Sequence, residues 1–142
     1  MIRQASCVAI GGRAILLEGP PGSGKSTLAL ALVDRGATLV GDDGVTLEAK
    51  GNSLVASPPP NIAGLLEIRN VGLVPFPVTS APVALVLALT SDAPRYVEHA
   101  DTLEIAGCTI PALRFDPAIP AAPIRAEQAL IRYGLPRDGA GA

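Results

Sequence analysis

The chain contains no tryptophan, and only two tyrosines and two phenylalanines. Chemistry that depends on stacked aromatic rings is therefore not expected, and any core must be assembled from Val, Leu, Ile and Ala. Lysine is nearly as scarce. The basic residues are arginines apart from Lys25 and Lys50, and no run of Lys or Arg occurs anywhere. With a formal net charge of -2, the protein has no basic surface for a polyanionic backbone, so nucleic acid is not an expected partner. The single histidine, His99, has no second His or Cys nearby to complete a metal site and reads as a solvated loop residue. Cys7 and Cys108 cannot be paired from sequence. Both sit in strand-like stretches where a free buried thiol is the ordinary state, and a reducing cytoplasm is the expected compartment.

Long apolar runs are missing too. The longest, Ala81 to Leu89, is half of what a bilayer span requires, and no apolar stretch ending in a small-residue cleavage site follows Arg3. Neither a membrane segment nor a signal peptide is expected. What the chain does have is a hydrophobic share of 49% in 142 residues, the size of one domain that buries about two-thirds of its unfolded surface. The expected organisation is a single domain over residues 1–136 with a frayed tail at residues 137–142.

One lysine stands in an informative place. Gly19-Pro20-Pro21-Gly22-Ser23-Gly24-Lys25-Ser26 fits G-x-x-x-x-G-K-S/T at every fixed position and is followed by Thr27. Glycines let successive backbone N–H groups point inward around a phosphate, and the helix that follows adds a dipole favourable to an anion. Lys25 would then reach the β- and γ-phosphates, and the Ser26 hydroxyl would hold Mg²⁺.

The surroundings supply the context this motif needs. Ser6 to Ile10 and Arg13 to Leu17 predict a hairpin around Gly11-Gly12, and Leu28, Leu32 and Val33 share one face of a predicted helix over Lys25 to Arg35, with Gly36 as its stop. Ala37 to Val40 predicts a strand ending at Gly41, Asp42 and Asp43. A second hairpin is expected from Val45 to Ala49 and Ser53 to Ala56. Pro58, Pro59 and Pro60 then impose a rigid connection. Val83 to Leu89 reads as a buried central strand, Thr102 to Ile105 with Ile110 to Leu113 as another hairpin, and Ile124 to Tyr133 as a closing helix. The expected fold class is α/β.

A phosphate cradle leaves open whether the transferred group goes to water, a metabolite or a protein. Asp42 and Asp43, at the end of the strand after the P-loop helix, border the crevice where ligands of such sheets bind. One could orient Mg²⁺ and the other accept a proton from an attacking hydroxyl, although an Asp-Asp pair before Gly44 is also ordinary turn chemistry. Asp92, after the central strand, reads as a turn residue rather than a metal ligand. Glu67 and Arg69 alternate with apolar neighbours as on the exposed face of a strand.

Taken in order, these blocks resemble the catalytic domain of the HPr kinase/phosphorylase family. The likeness lies in Ala5-Ser6-Cys7-Val8-Ala9, the P-loop, Arg35-Gly36-Ala37-Thr38-Leu39-Val40-Gly41-Asp42-Asp43 and Leu66-Glu67-Ile68-Arg69-Asn70-Val71-Gly72. Thr102 to Pro117 is similar to short alphaproteobacterial members. The resemblance implies a mixed sheet with flanking helices, of the kind shared with PEP carboxykinase. It also implies an ATP- and Mg²⁺-dependent kinase of a serine on an HPr-like phosphocarrier, often able to remove that phosphate by phosphorolysis, and hexameric assembly. Carried over by position, Lys25 binds phosphate, Ser26 and Glu67 hold Mg²⁺, and Asp43 is the proton acceptor with Asp42 beside it. Arg95 corresponds to a later catalytic arginine.

Two positions depart from the pattern. Gln4 stands where the family usually has His, 21 residues ahead of Lys25, and Gln has no imidazole acid/base chemistry. Asn70 stands where Gly is usual, so the loop after Arg69 is open to a different position, a mild change given that Asn tolerates left-handed backbone better than most residues. The N-terminal domain of longer members is not expected here, since the P-loop begins at Gly19. A nucleotide-sensing module without transfer activity and a small-molecule P-loop kinase are the alternative readings.

Overall fold

The computed structural model describes residues 1–61 and 64–137. A two-residue strand, β1 (Ile2–Arg3), leads into β2 (Ser6–Ile10), and the Gly11-Gly12 turn, with φ of 57° and 83°, returns the chain as β3 (Arg13–Glu18). Positive φ at both turn residues matches the twist of the strands they join, which fixes the register from Ser6↔Leu17 to Ile10↔Arg13. Residues 19–24 form the P-loop, and α1 (Lys25–Asp34) follows, stopping at Gly36 with its φ of 112°. β4 (Thr38–Gly41), the hairpin β5 (Val45–Lys50) and β6 (Ser53–Ser57), and a small separate hairpin of β7 (Leu65–Ile68) and β8 (Gly72–Pro75) come next. The long strand β9 (Ala81–Leu89), the hairpin β10 (Asp101–Ile105) and β11 (Cys108–Phe115), and α2 (Ala122–Tyr133) complete the described chain.

Apart from the β7–β8 pair, the strands form one mixed sheet in the order β1-β5-β6-β9-β3-β2-β4, with β11 also on β9 and β10 on β11. β9 is its hub, antiparallel to β6 at Ala81 and Pro82 and parallel to both β3 and β11 further along. β2 is antiparallel to β3 and to β4. It follows that β3, β4, β9 and β11 all end on the same side of the sheet, where β2 begins. The P-loop, Asp42, Thr90 and Asp116 are the residues just past those four ends, so topology gathers them.

Both faces of the central strands are buried, which explains why they read as continuous apolar runs rather than alternating ones. Val8, Ile15, Leu17, Leu85 and Leu87 pack with Leu28, Ala29 and Leu32 of α1 and Ala126, Ala129 and Leu130 of α2. On the other face, Cys7, Ala14, Leu16, Val83 and Val86 pack with Val45, Leu47, Leu54 and Ala56 of the β5–β6 hairpin. Leu66 joins the α1 cluster and pins β7 against that helix. Cys7 is buried as expected, whereas Cys108, beside the Ala106-Gly107 turn, is half-buried. Both thiols are free. The expected tail lies beyond the described residues from 138 on. No described helix is long and apolar enough to cross a membrane.

Asn70 closes the β7–β8 turn, in which the Val71 N–H donates to the Ile68 carbonyl at 3.0 Å, and its φ is 68°. Left-handed backbone is costly for a branched side chain. Asn70→Val is therefore expected to lower unfolding stability by about 1–2 kcal/mol, whereas Asn70→Gly should stay within about 0.5 kcal/mol of wild type, as checked by urea denaturation.

Candidate active site

Gly24 occupies the N-cap of α1 with φ of 103°, a conformation open to glycine, and no side chain caps the helix. The first bond of the helical ladder runs from the Leu28 N–H to the Gly24 carbonyl at 3.0 Å. The amides of Lys25, Ser26 and Thr27 are thus left without intrahelical acceptors, as at any helix start. No acidic residue lies in the first turn to compete for them. Within the loop, the Ser23 amide donates to the Pro20 carbonyl at 3.1 Å, and the Ser23 hydroxyl is buried with no partner among the described residues. Lys25 Nζ curls back to the Gly19 carbonyl at 2.6 Å. Free amides, an orphan hydroxyl and one ammonium at a helix N-terminus suit a polyphosphate anion.

The acids lie beside this cradle. Asp42 Oδ1 accepts from the Ser26 hydroxyl at 2.7 Å and from the Ser6 hydroxyl at 2.8 Å, while Oδ2 accepts from the Glu67 backbone N–H at 3.0 Å. Asp42 therefore touches the P-loop helix directly. Asp43 is exposed, with φ of 56°, and its amide donates to Ser6 Oγ at 3.3 Å. The Glu67 side chain is exposed, on the β7 face away from buried Leu66, as its alternation predicts.

A β-bulge aims these acids. The ladder between β2 and β4 pairs Cys7 with Gly41 but Val8 with Leu39, so β4 carries one extra residue, Val40, two positions before Asp42. Gly41 is required by close approach: a Cβ there would collide with the Gly44 carbonyl.

Other residues of interest fall elsewhere. Arg95 is exposed with its guanidinium 5.5 Å from the centre of the adjacent Tyr96 ring, and among the described residues no hydrogen bond or ion pair ties it to the P-loop or the acids. Asp92 is a turn residue, its amide on the Thr90 hydroxyl at 3.1 Å, and pairs at 3.5 Å with Arg114. His99 is exposed on a shallow cleft of about 180 Å³ shared with Glu98, Asp101 and Arg114. Gln4 is exposed at a three-residue turn in which the Ala5 N–H donates to the Arg3 carbonyl at 3.0 Å. Just before it, Arg3 binds Glu18, the last residue of β3, and the hydrogen bond to that carboxylate raises the Arg3 pKa further. Burial pushes the Cys7 thiol far up, which removes it from nucleophilic chemistry.

Two contributors carried no clear sequence signal. Ser6 looks like a small residue inside an apolar strand. Pro117, past the end of β11, lies against Gly24 of the P-loop, close enough that a Cβ on Gly24 would meet its ring at 3.4 Å. Arg125 braces that segment, stacking 4.5 Å from the Phe115 ring centre and donating to the Asp116 carbonyl at 3.1 Å.

Gly41→Ala is expected to cost about 1–3 kcal/mol, because the added methyl overpacks the acid turn. Gly44→Ala meets nothing within 4 Å and should leave stability unchanged, a contrast that paired thermal melts would read.

Residues 2–79 match the family described as HPr Serine kinase C-terminal domain. The HPr kinase/phosphorylase of Chlorobium phaeobacteroides is 45% identical over 73 residues, which is 50% of this chain and 23% of that protein. The HPr kinase/phosphorylase of Mycoplasma mycoides subsp. mycoides SC is 29% identical over 108 residues, 70% of this chain and 34% of that protein. The matched region is thus well under half the length of these curated relatives. The solved structure of the Hpr(Ser) kinase/phosphatase from Coxiella burnetii is similar with a TM-score of 0.80 and 25% identity, covering 92% of this chain and 88% of that one. With more than half of its residues inside the family match and a similar fold over 92% of the chain, the chain belongs to the HPr serine kinase C-terminal domain family.

Proposed function

We propose that this protein is an ATP- and Mg²⁺-dependent kinase that phosphorylates a serine of an HPr-like phosphocarrier protein. The observation that carries the reading is the 2.7 Å hydrogen bond between the Ser26 hydroxyl and Asp42, at the mouth of a helix whose first amides are free. A P-loop hydroxyl beside a carboxylate is the donor set that Mg²⁺ takes when the remaining ligands are nucleotide phosphates and waters. Among the described residues no group of three His, Cys, Asp or Glu forms a self-sufficient metal cage, in keeping with a cation that arrives with its nucleotide.

In this reading the amides of residues 24–27 and Lys25 hold the β- and γ-phosphates, and Ser26, Asp42 and Glu67 hold the cation. Bound Mg²⁺ would neutralise charge on the transferring phosphoryl group. Asp42 is engaged by three donors, whereas Asp43 is exposed and carries no side-chain hydrogen bond among the described contacts. Asp43 is therefore the group assigned to take the proton from the substrate serine as its oxygen attacks the γ-phosphorus and the bond to the β-phosphate oxygen breaks, releasing ADP. An open site with an exposed base suits a protein substrate. Free thiols at Cys7 and Cys108 suit a reducing compartment such as the cytoplasm.

With purified protein, a phosphocarrier and radiolabelled ATP, label is expected on a carrier serine. Asp43→Asn should lower kcat by about 10²–10⁴-fold at unchanged nucleotide affinity, whereas Asp42→Asn should also weaken Mg²⁺-dependent nucleotide binding. Transfer to metabolites alone, or tight binding without transfer, would defeat the proposal.

Phosphorolysis is the reaction that Gln4 should impair, because an amide side chain cannot take up and release a proton at neutral pH as imidazole does. Gln4→His is expected to raise phosphate-dependent removal of the label, or to alter its pH response; no gain in either would show that this position does not limit the reverse reaction.

A further inference from the structure

Ser6 is the one polar residue among those described that is buried as a whole, and the proposed reaction makes no use of it. A hydroxyl removed from water is unfavourable unless its hydrogen bonds are made. Here both are. A carboxylate can only accept and an amide can only donate, so Ser6 Oγ gives its proton to Asp42 Oδ1 at 2.8 Å and receives the Asp43 N–H at 3.3 Å.

The position of this hydroxyl is set by the sheet rather than by a loop. Ser6 is the first residue of β2, paired with Leu17 of β3, two residues ahead of the P-loop. Its neighbour Cys7 pairs with Gly41, immediately before the acids. One side chain on a rigid strand thus reaches both members of the acid pair, and through Asp42 it is one bond away from Ser26.

We infer that Ser6 is a positioning residue, whose hydroxyl fixes the Asp42 carboxylate toward Ser26 and holds the left-handed turn at Asp43. Its catalytic consequence rests on the kinase reading above. The contact itself does not. Removing the hydroxyl leaves Asp42 Oδ1 with Ser26 alone and leaves the Asp43 amide without its acceptor. The two acids then lose their common reference point while the phosphate cradle stays whole.

The test uses the full chain and two variants, Ser6→Ala and Ser6→Cys. The second fills the site with a slightly larger thiol that supplies only a weak donor and acceptor. Amide hydrogen exchange by NMR and initial rates of label transfer are the readouts. Both variants are expected to speed exchange of the Asp43 amide about tenfold, the scale of one lost hydrogen bond, with exchange in β3 and β9 unchanged. Both should also lower kcat about tenfold, with KM for ATP within about twofold of wild type. Unchanged exchange at Asp43 would overturn the inference. So would a Ser6→Cys variant matching wild type in both readouts, since volume alone would then suffice, or a rise in KM equal to the fall in kcat. If wild type transfers no label, the kinase reading fails, and exchange at Asp43 still decides the role of Ser6.

Discussion

A half-buried carboxylate needs donors, and Asp42 draws its three from three separate segments of the chain. The start of β2 supplies Ser6, the first turn of α1 supplies Ser26, and β7 supplies a backbone amide at Glu67. Hydrogen bonds to an ionised acceptor are shorter and stronger than neutral ones, so the group holds its donors in fixed relation. The β7–β8 hairpin is not part of the main sheet. It is located by Leu66 against α1 and by this one polar contact, which ties Glu67 to the acid turn.

Sheet topology explains why the three donors are within reach. Parallel pairing of β3, β9 and β11, together with two antiparallel steps through β2 to β4, brings four strand ends to one side. Residues as distant in sequence as Gly24 and Pro117 then become neighbours. This is the crevice geometry of open α/β sheets, reached here with a mixed sheet rather than a wholly parallel one.

Much of this was legible in the sequence where the signal is local. The P-loop is recognisable because its amides, glycines and lysine must occur at fixed spacing, and the strands because Ile15 to Leu17 and Val83 to Leu89 are buried on both faces. Asn tolerates left-handed backbone better than most residues, and Asn70 takes it up with a φ of 68°. The hydrogen-bond pattern among the acids was not readable. Which aspartate faces Ser26 depends on a one-residue bulge between β2 and β4, and a bulge leaves no trace in spacing. Ser6 was hidden because a small polar residue in an apolar strand looks like filler until its partners are known. Arg95 shows the converse: a match in sequence position that the described contacts do not bring to the P-loop.

The hub role of β9 bears on when the site can come into being. β3 carries the P-loop on its end, yet one whole edge of it is completed by β9, with Ala14 opposite Val83 and Glu18 opposite Ala88. Local hairpins and α1 can form as soon as their residues are available, but a parallel pairing across so long a stretch of chain must first meet the cost of closing that loop. During synthesis, the first half of the chain therefore emerges with its phosphate-binding motif already complete in sequence but without the strand that holds it in place. A nascent chain halted before β9 would carry the motif and not the pocket, so nucleotide binding becomes a late reporter of folding rather than an early one.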